Sequence, residues 1–438
     1  MRRKCTDSLI HWKKSPSRKP LILQGLRQTG KTWLLRDFGK KYYKNTLYIN
    51  FETSQIVTDY FSTQTSCQDI FLFLEIYSGI PFYPSETLLI LDNISCVPTI
   101  STFLATAALD YPQYHIAAID NTFSSHYSSC DFDLLSLYPL DFEEFLWANS
   151  EFRLSQEIRS HFRSRTPMGK SLHQKALAQF YLYLAIGGMP LSILEYRKEK
   201  KLLMVPDVQQ KLLNLFLEDI TAHAPSNYTR YCRNCWQSIP AQIGKSNSKF
   251  QYRCIAKGAT ARLYQKPLQW LIDSGLACAV PRHSFSASSL VYSDSNTVSE
   301  IPNSGADSEF FYHIYFPDIG LCARQIHASS YLLLSGENNT AKHICTETFL
   351  AQHFFQNGYE LSFWSGKNQA ALPFLLKKDN LYIAIDYRLS PSQKQRNLAR
   401  FKELYKDSQN LEFYLLSPED FKQKEAYDIV PLYAGFCI

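Results

Sequence analysis

The segment Gly25-Leu26-Arg27-Gln28-Thr29-Gly30-Lys31-Thr32 sets two glycines, a lysine and a hydroxyl at the spacing of a phosphate-binding loop. Such a loop needs glycine where the backbone comes close to an anion, and it opens a helix whose free N–H groups and dipole face the phosphates. Lys31 is expected to reach the β- and γ-phosphates as a point charge, and Thr32 to offer its hydroxyl to magnesium. The segment follows an apolar run, Leu21 to Gln24, and leads into a helical run from Trp33 to Phe38, the strand, loop and helix that this chemistry requires. The expected nucleotide-binding set is therefore Gly25, Leu26, Arg27, Gln28, Thr29, Gly30, Lys31, Thr32 and Trp33, with ATP and Mg2+ as its ligands. Arg27 has three readings: contact with phosphate, contact with a neighbouring subunit, or exposure to solvent.

The second half of such a site is an acidic residue ending a buried strand, and Leu88-Leu-Ile-Leu-Asp92 has that form. Asp92 is expected to hold magnesium, through water or through Thr32. The next position is Asn93. An amide hydrogen-bonds a water but cannot take its proton at neutral pH, so base assistance, worth roughly 10² to 10⁴ in rate, is lost there. Binding with slow hydrolysis is the expectation. A further strand ends in Ala117-Ala-Ile-Asp120-Asn121, where either polar residue is a candidate sensor of the γ-phosphate.

Five strands are expected in the first part of the chain: Pro20 to Gln24, Thr46 to Phe51, Leu88 to Leu91, His115 to Ile119 and Leu134 to Tyr138. Their near-continuous apolar character, broken by helical patterns, is that of a parallel sheet covered on both faces. From about residue 156 the pattern turns helical, with amphipathic stretches at Lys175 to Ile186 and Val205 to Ile220 and a turn at Gly187-Gly-Met-Pro190. Short helices from Gln237, a basic stretch from Gly244 to Lys249 and a helix from Ala261 to Asp273 are compatible with a winged helix. Residues 281–308, rich in Ser, Asn and Asp, read as a linker, after which Tyr312 to Phe316, Glu360 to Trp364, Leu381 to Tyr387 and Leu411 to Leu416 read as strands. The expected domains are 1–155, 156–290 and 291–438.

The chain has 438 residues, 45% hydrophobic and 20% charged, an ordinary globular composition. A formal charge of +6 permits nucleic-acid contact without arguing for it. Eleven scattered cysteines and no apolar stretch after the basic start Met1-Arg-Arg-Lys4 point to reduced thiols and a cytoplasmic location, and no run is apolar enough for a membrane span. Cys232 and Cys235 have metal-ligand spacing but lack a second pair for zinc.

Several motifs together resemble one family: prokaryotic ATP-binding proteins that join an AAA-type ATPase domain to a C-terminal domain of unknown function. They are Lys19 to Thr32, Leu47-Tyr-Ile-Asn-Phe-Glu52, Leu137 to Leu146, Gly187-Gly-Met-Pro190, Lys257 to Arg262, Trp270 to Leu276 and Pro431 to Ile438. The resemblance implies an AAA-type P-loop parallel sheet, a helical and winged-helix middle, and a C-terminal α/β domain similar in fold to restriction-type nucleases. The chain departs from the family at Asn93, where Glu is usual, and at Ile119-Asp120, where Gly-Ser is usual.

A nuclease of that type needs an Asp on one strand and Glu-x-Lys on the next to hold a metal and a hydroxide. Here Pro373 stands in the Asp position, and Asp386-Tyr-Arg388 replaces the lysine with a bulkier arginine, Glu347 remaining as a further carboxylate. The nuclease site is expected to be degenerate. The leading expectation is an ATP-dependent switch acting on a protein partner or on a second copy of the chain. The alternative is a DNA-binding or scaffolding protein with a relic ATP site, using Lys245, Lys249, Arg253, Lys257 and Arg262.

Overall fold

The structure, a computed structural model, describes residues 1–63, 66–121, 131–244, 250–283, 312–335, 337, 339–366, 370–392, 397–405 and 410–438. Most of the expected linker, and the basic stretch with Lys245 and Lys249, lie outside the described residues. Two compact units emerge: residues Met1–Leu140, with Met189–Leu191 and Asp273–Gly275, and the remainder from Asp141 onward.

The first unit holds α1 (Cys5–Lys14), β1 (Leu21–Gln24), α2 (Lys31–Tyr42), β2 (Asn45–Asn50), α3 (Gln55–Thr63), α4 (Cys67–Ser78), β3 (Thr87–Asp92), α5 (Ile100–Asp110), β4 (His115–Ile119) and β5 (Asp133–Ser136). The strands form one five-stranded sheet in the order β2-β3-β4-β1-β5, every pairing parallel. All six residues of β3 are buried, as a strand covered on both faces demands. The two-residue strand period sorts its side chains. Leu88 and Ile90 join Leu21, Leu23 and Ile119 against Leu34, Leu35 and Phe38 of α2 and Leu9 and Trp12 of α1. Leu89 and Leu91 join Ile22, Leu47 and Ile49 against α3, α4 and α5. Each such side chain contributes roughly 1.5–3 kcal/mol by leaving water, so the strand is fixed in register and its last residue, Asp92, is delivered to the carboxyl edge of the sheet.

The second unit continues with α6 (Phe142–Ala148), α7 (Phe152–Ser164), α8 (Lys170–Ile186), α9 (Pro190–Glu199), α10 (Val205–His223), α11 (Thr229–Ser238), α12 (Ala261–Asp273), β6 (Cys278–Pro281), β7 (Tyr312–Tyr315), α13 (Ile319–Gln325), α14 (Ser330–Leu334), α15 (Thr340–Gln356), β8 (Glu360–Ser365), β9 (Ala371–Lys378), β10 (Leu381–Tyr387), α16 (Asn397–Leu404), β11 (Leu411–Ser417), β12 (Lys422–Gln423) and β13 (Asp428–Pro431). Six of its strands form a mixed sheet, β12-β13-β11-β10-β9-β8, and β6 and β7 pair antiparallel by themselves. Between Ser362 and Trp364 the β8–β9 register slips, so that Ser362 faces Leu375 while Trp364 faces Leu372. The extra residue on β9 falls at Pro373 and Phe374, where a proline without an N–H cannot complete a ladder and a bulge accommodates it. Among the described residues no single helix is long and apolar enough to cross a membrane.

Candidate functional site

The loop between β1 and α2 is shaped by its two glycines for different reasons. Gly25 has φ +148°, and a Cβ there would stand 2.3 Å from the Leu137 carbonyl oxygen, so the neighbouring chain leaves room for no side chain. Gly30 takes φ +93° as the N-cap of α2, a left-handed conformation that glycine adopts without cost. Gln28, also left-handed with φ 64°, is exposed between them. Thr29 is buried and donates to the Leu26 carbonyl at 2.9 Å, tightening the loop on itself.

Lys31, itself buried, donates from Nζ to the carbonyls of Gly25 at 2.7 Å and Leu26 at 2.8 Å. Its ammonium is thus held at the rim of the loop. The first turn of α2 contains no acidic residue, so nothing on it opposes an anion at the helix N-terminus. Trp33, which the spacing also assigns to this set, has its side chain turned out, 51% exposed.

Thr32 donates its hydroxyl to Asp92 Oδ2 at 2.7 Å, and Tyr48 on β2 donates to the same oxygen at 2.8 Å. Asp92 Oδ1 accepts from the Asn93 N–H at 2.9 Å. Three donors thus converge on this buried carboxylate. Burial, together with the neighbouring Asp92 charge, pushes the Tyr48 phenol up to about 12, so it stays a donor at any physiological pH. Because the Thr32 proton points at Asp92, the oxygen lone pairs of the hydroxyl face away from that carboxylate. This donor set suits a magnesium held by Thr32, oriented by Asp92, and completed by phosphate oxygens and water.

Asn93 has φ 57° and ψ 50°, a left-handed conformation that asparagine tolerates better than most residues. Its amide is enclosed by three side chains from two segments, the end of β2 with its following turn and the residues after β4. Nδ2 donates to Asn50 Oδ1 at 3.0 Å and to Glu52 Oε2 at 3.1 Å, while Oδ1 accepts from Asn121 Nδ2 at 2.5 Å. Glu52 also faces Arg27 of the loop, Nη2 to Oε2 being 3.5 Å. That pair is half-exposed and worth no more than ~1 kcal/mol. Asp120 is buried where its N–H meets the Leu23 carbonyl at 3.1 Å, and of the two candidate sensors it is Asn121 whose side chain reaches Asn93.

Several contributors escape a reading of spacing. Arg3, buried, donates to the Thr29 carbonyl at 3.0 Å and to that of Tyr138 at 2.5 Å, bracing the loop from the N-terminal segment. Tyr48, Asn50 and Glu52 come from the end of β2. The signal that points to them is strand register: Asn50 pairs with Asp92, and Asp92 with Ile119, so the residues following β2, β3 and β4 line one edge.

In the second unit, Glu347 on α15 accepts from the Tyr315 hydroxyl at 2.8 Å and the Tyr387 hydroxyl at 2.7 Å. Asp386 Oδ1 accepts from the Tyr387 N–H at 2.8 Å, and its Oδ2 is buried without a hydrogen-bond partner. Burial pushes this carboxyl up to about 7. Arg388 bonds Ser417 Oγ at 3.1 Å and pairs with Glu419. Cys232 and Cys235 are both buried, and burial raises both thiols. Among the described residues no group of three or more His, Cys, Asp or Glu is placed to hold a metal ion.

Residues 17–146 match a family model described as an AAA domain, and residues 177–297 match one described as a domain of unknown function (DUF8612). No curated protein matches the chain. Among solved structures, the chain is similar to a Walker-type ATPase of Pyrococcus abyssi at 13% identity, over 74% of this chain and 95% of that one, with a TM-score of 0.43. It is also similar to the Orc1 protein of Aeropyrum pernix in complex with DNA, at 12% identity over 74% and 91% of the two chains, with a TM-score of 0.30. For AMPPCP-bound DnaA from Aquifex aeolicus the figures are 14%, 60%, 84% and 0.28. The glycine loop, the buried strand ending in Asp92 and the parallel β2-β3-β4-β1-β5 sheet fall almost wholly within the residues that match the AAA domain model, so the family match and the α/β architecture of the N-terminal part agree on an ATP-binding domain of AAA type there.

Proposed function

We propose that the chain binds ATP with magnesium and works as a nucleotide-dependent switch with slow hydrolysis. The observation that carries this reading is the Thr32–Asp92 hydrogen bond beside the Lys31 loop. Lys31, the α2 N-terminus and Arg27 hold the triphosphate, and Thr32 with Asp92 holds the metal, which when bound spreads the charge that develops on the phosphates. Asn93 takes no proton from the attacking water, because an amide has no basic site at neutral pH. Turnover that is slow compared with nucleotide exchange suits a switch better than a motor. Single-turnover hydrolysis in wild type and Asn93→Glu tests this: the substitution is expected to raise the rate, and equal rates refute slow turnover through residue 93.

The C-terminal sheet retains no nuclease chemistry on this reading. Pro373 at the β9 bulge, Glu347 occupied by two tyrosine hydroxyls and Asp386 raised to about 7 support it. DNA incubated with the chain and magnesium or manganese stays intact.

A second reading, DNA binding through residues 156–290, is favoured by the exposure of Arg253, Lys257 and Arg262 around the start of α12. Phosphate neutralisation by these residues predicts affinity that falls steeply with salt. A flat response dismisses it.

A further inference from the structure

Residue 93 carries no carboxylate, yet one stands beside it. Glu52 Oε2 lies 3.1 Å from Asn93 Nδ2 and 3.5 Å from Arg27 Nη2, so the same oxygen faces the residue after Asp92 and a residue of the phosphate loop. Its position is built. The Glu52 N–H donates to Asn50 Oδ1 at 2.9 Å, folding the turn after β2 over that side chain, and the same Asn50 oxygen accepts from Asn93 at 3.0 Å. Asn121 closes the other side of the Asn93 amide. With its oxygen and nitrogen both engaged, Asn93 serves as a bracket that presents the Glu52 carboxylate to the site.

We propose that Glu52 is the catalytic base for the residual hydrolysis of ATP, supplying from the end of β2 the proton acceptor that position 93 lacks. This rests on the reading of the loop as an ATP site. As the oxygen of the attacking water bonds the γ-phosphorus, one of its protons passes to a Glu52 carboxylate oxygen. The bond from the γ-phosphorus to the bridging oxygen breaks, and its electron pair leaves with ADP. Glu52 then returns the proton to solvent as inorganic phosphate departs. Arg27 turns to the γ-phosphate when nucleotide binds, releasing Oε2 for that proton. A base hung from a half-exposed turn is less rigidly aimed than one following Asp92 directly, which keeps turnover slow.

The test is Glu52→Gln against wild type and the double variant Glu52→Gln/Asn93→Glu. Two measurements are made on the full chain: calorimetric affinity for a non-hydrolysable ATP analogue with magnesium, and single-turnover hydrolysis of ATP. Glu52→Gln is expected to bind the analogue as wild type does and to lose roughly 10² to 10⁴ in rate. The double variant is expected to recover the rate. Intact binding with an unchanged rate in Glu52→Gln overturns the role of Glu52 alone, as does a wild-type rate no faster than ATP in buffer. Failure of wild type to bind the analogue overturns the ATP site and this assignment together.

Discussion

Asp92 and Asp386 both sit toward the carboxyl end of a buried strand, 5% and 4% exposed, the first between two parallel strands and the second between one parallel and one antiparallel, and their surroundings differ in chemistry. Asp92 receives the Thr32 and Tyr48 hydroxyls and the Asn93 N–H. Asp386 receives the Tyr387 N–H, while its second oxygen has no hydrogen-bond partner. Burial alone drives a carboxyl toward its neutral form, and Asp386 accordingly rises to about 7. Asp318, fully buried, is likewise raised, to about 6, although N–H donors from Leu321 and Gly188 hold it down. Donors to a buried carboxylate thus oppose the effect of burial, and Asp386 has fewer of them than Asp92.

The largest effect that sharpens this contrast comes from Asp92→Ala. Losing the group that orients Thr32 is expected to weaken magnesium-dependent nucleotide binding by about 10- to 100-fold. Calorimetry with and without magnesium reads it, and unchanged affinity would remove Asp92 from the site. Asp386→Asn is expected to act oppositely, stabilising the chain. The folded-state value of about 7 lies above the ordinary 3.8, so the native chain binds the extra proton and its stability falls as pH rises between them. The gain in melting temperature is therefore larger at alkaline than at acidic pH, about 2–4 °C for each kcal/mol recovered. A lower melting temperature at alkaline pH contradicts it.

The smallest effect is in the first unit. His115 is buried against the Tyr43 hydroxyl at 2.6 Å, with Nε2 unpartnered, and burial lowers it from 6.5 to about 4, helped by Arg18 and Lys13. The unfolded chain then binds the extra proton between those values, so stability falls as pH drops from 6.5 to 4. His115→Gln should flatten that slope in thermal melts. Acid thus weakens the first unit through His115, whereas raising the pH toward neutrality weakens the second through Asp386. A slope unchanged by the substitution breaks the symmetry.

Much of the first unit is legible in the sequence, because strands buried on both faces are short continuous apolar runs. His115 to Ile119 has the expected limits, and β3 extends the expected run by one residue at each end. The helix from Ala261 to Asp273 and the strand from Leu381 to Tyr387 also keep their expected limits. The loop from Gly25 to Thr32 is legible because its chemistry is local. The shell around Asn93 is not: Asn50, Glu52 and Asn121 meet it only once strand order aligns the ends of β2, β3 and β4. Arg3 is hidden in a different way, since a basic start to a chain reads as a solvated terminus until its guanidinium is seen on the Thr29 carbonyl.

The central claim is that Lys31 and its loop bind ATP, and calorimetric titration of the full chain with ATP and magnesium, beside Lys31→Ala, tests it most directly. Removing the ammonium leaves a triphosphate without its main cationic partner, a loss of about 2–5 kcal/mol, or roughly 30-fold and upward in affinity. Wild type is predicted to bind saturably and Lys31→Ala to bind at least that much more weakly. Equal affinity in the two proteins, or no binding in either, contradicts the account.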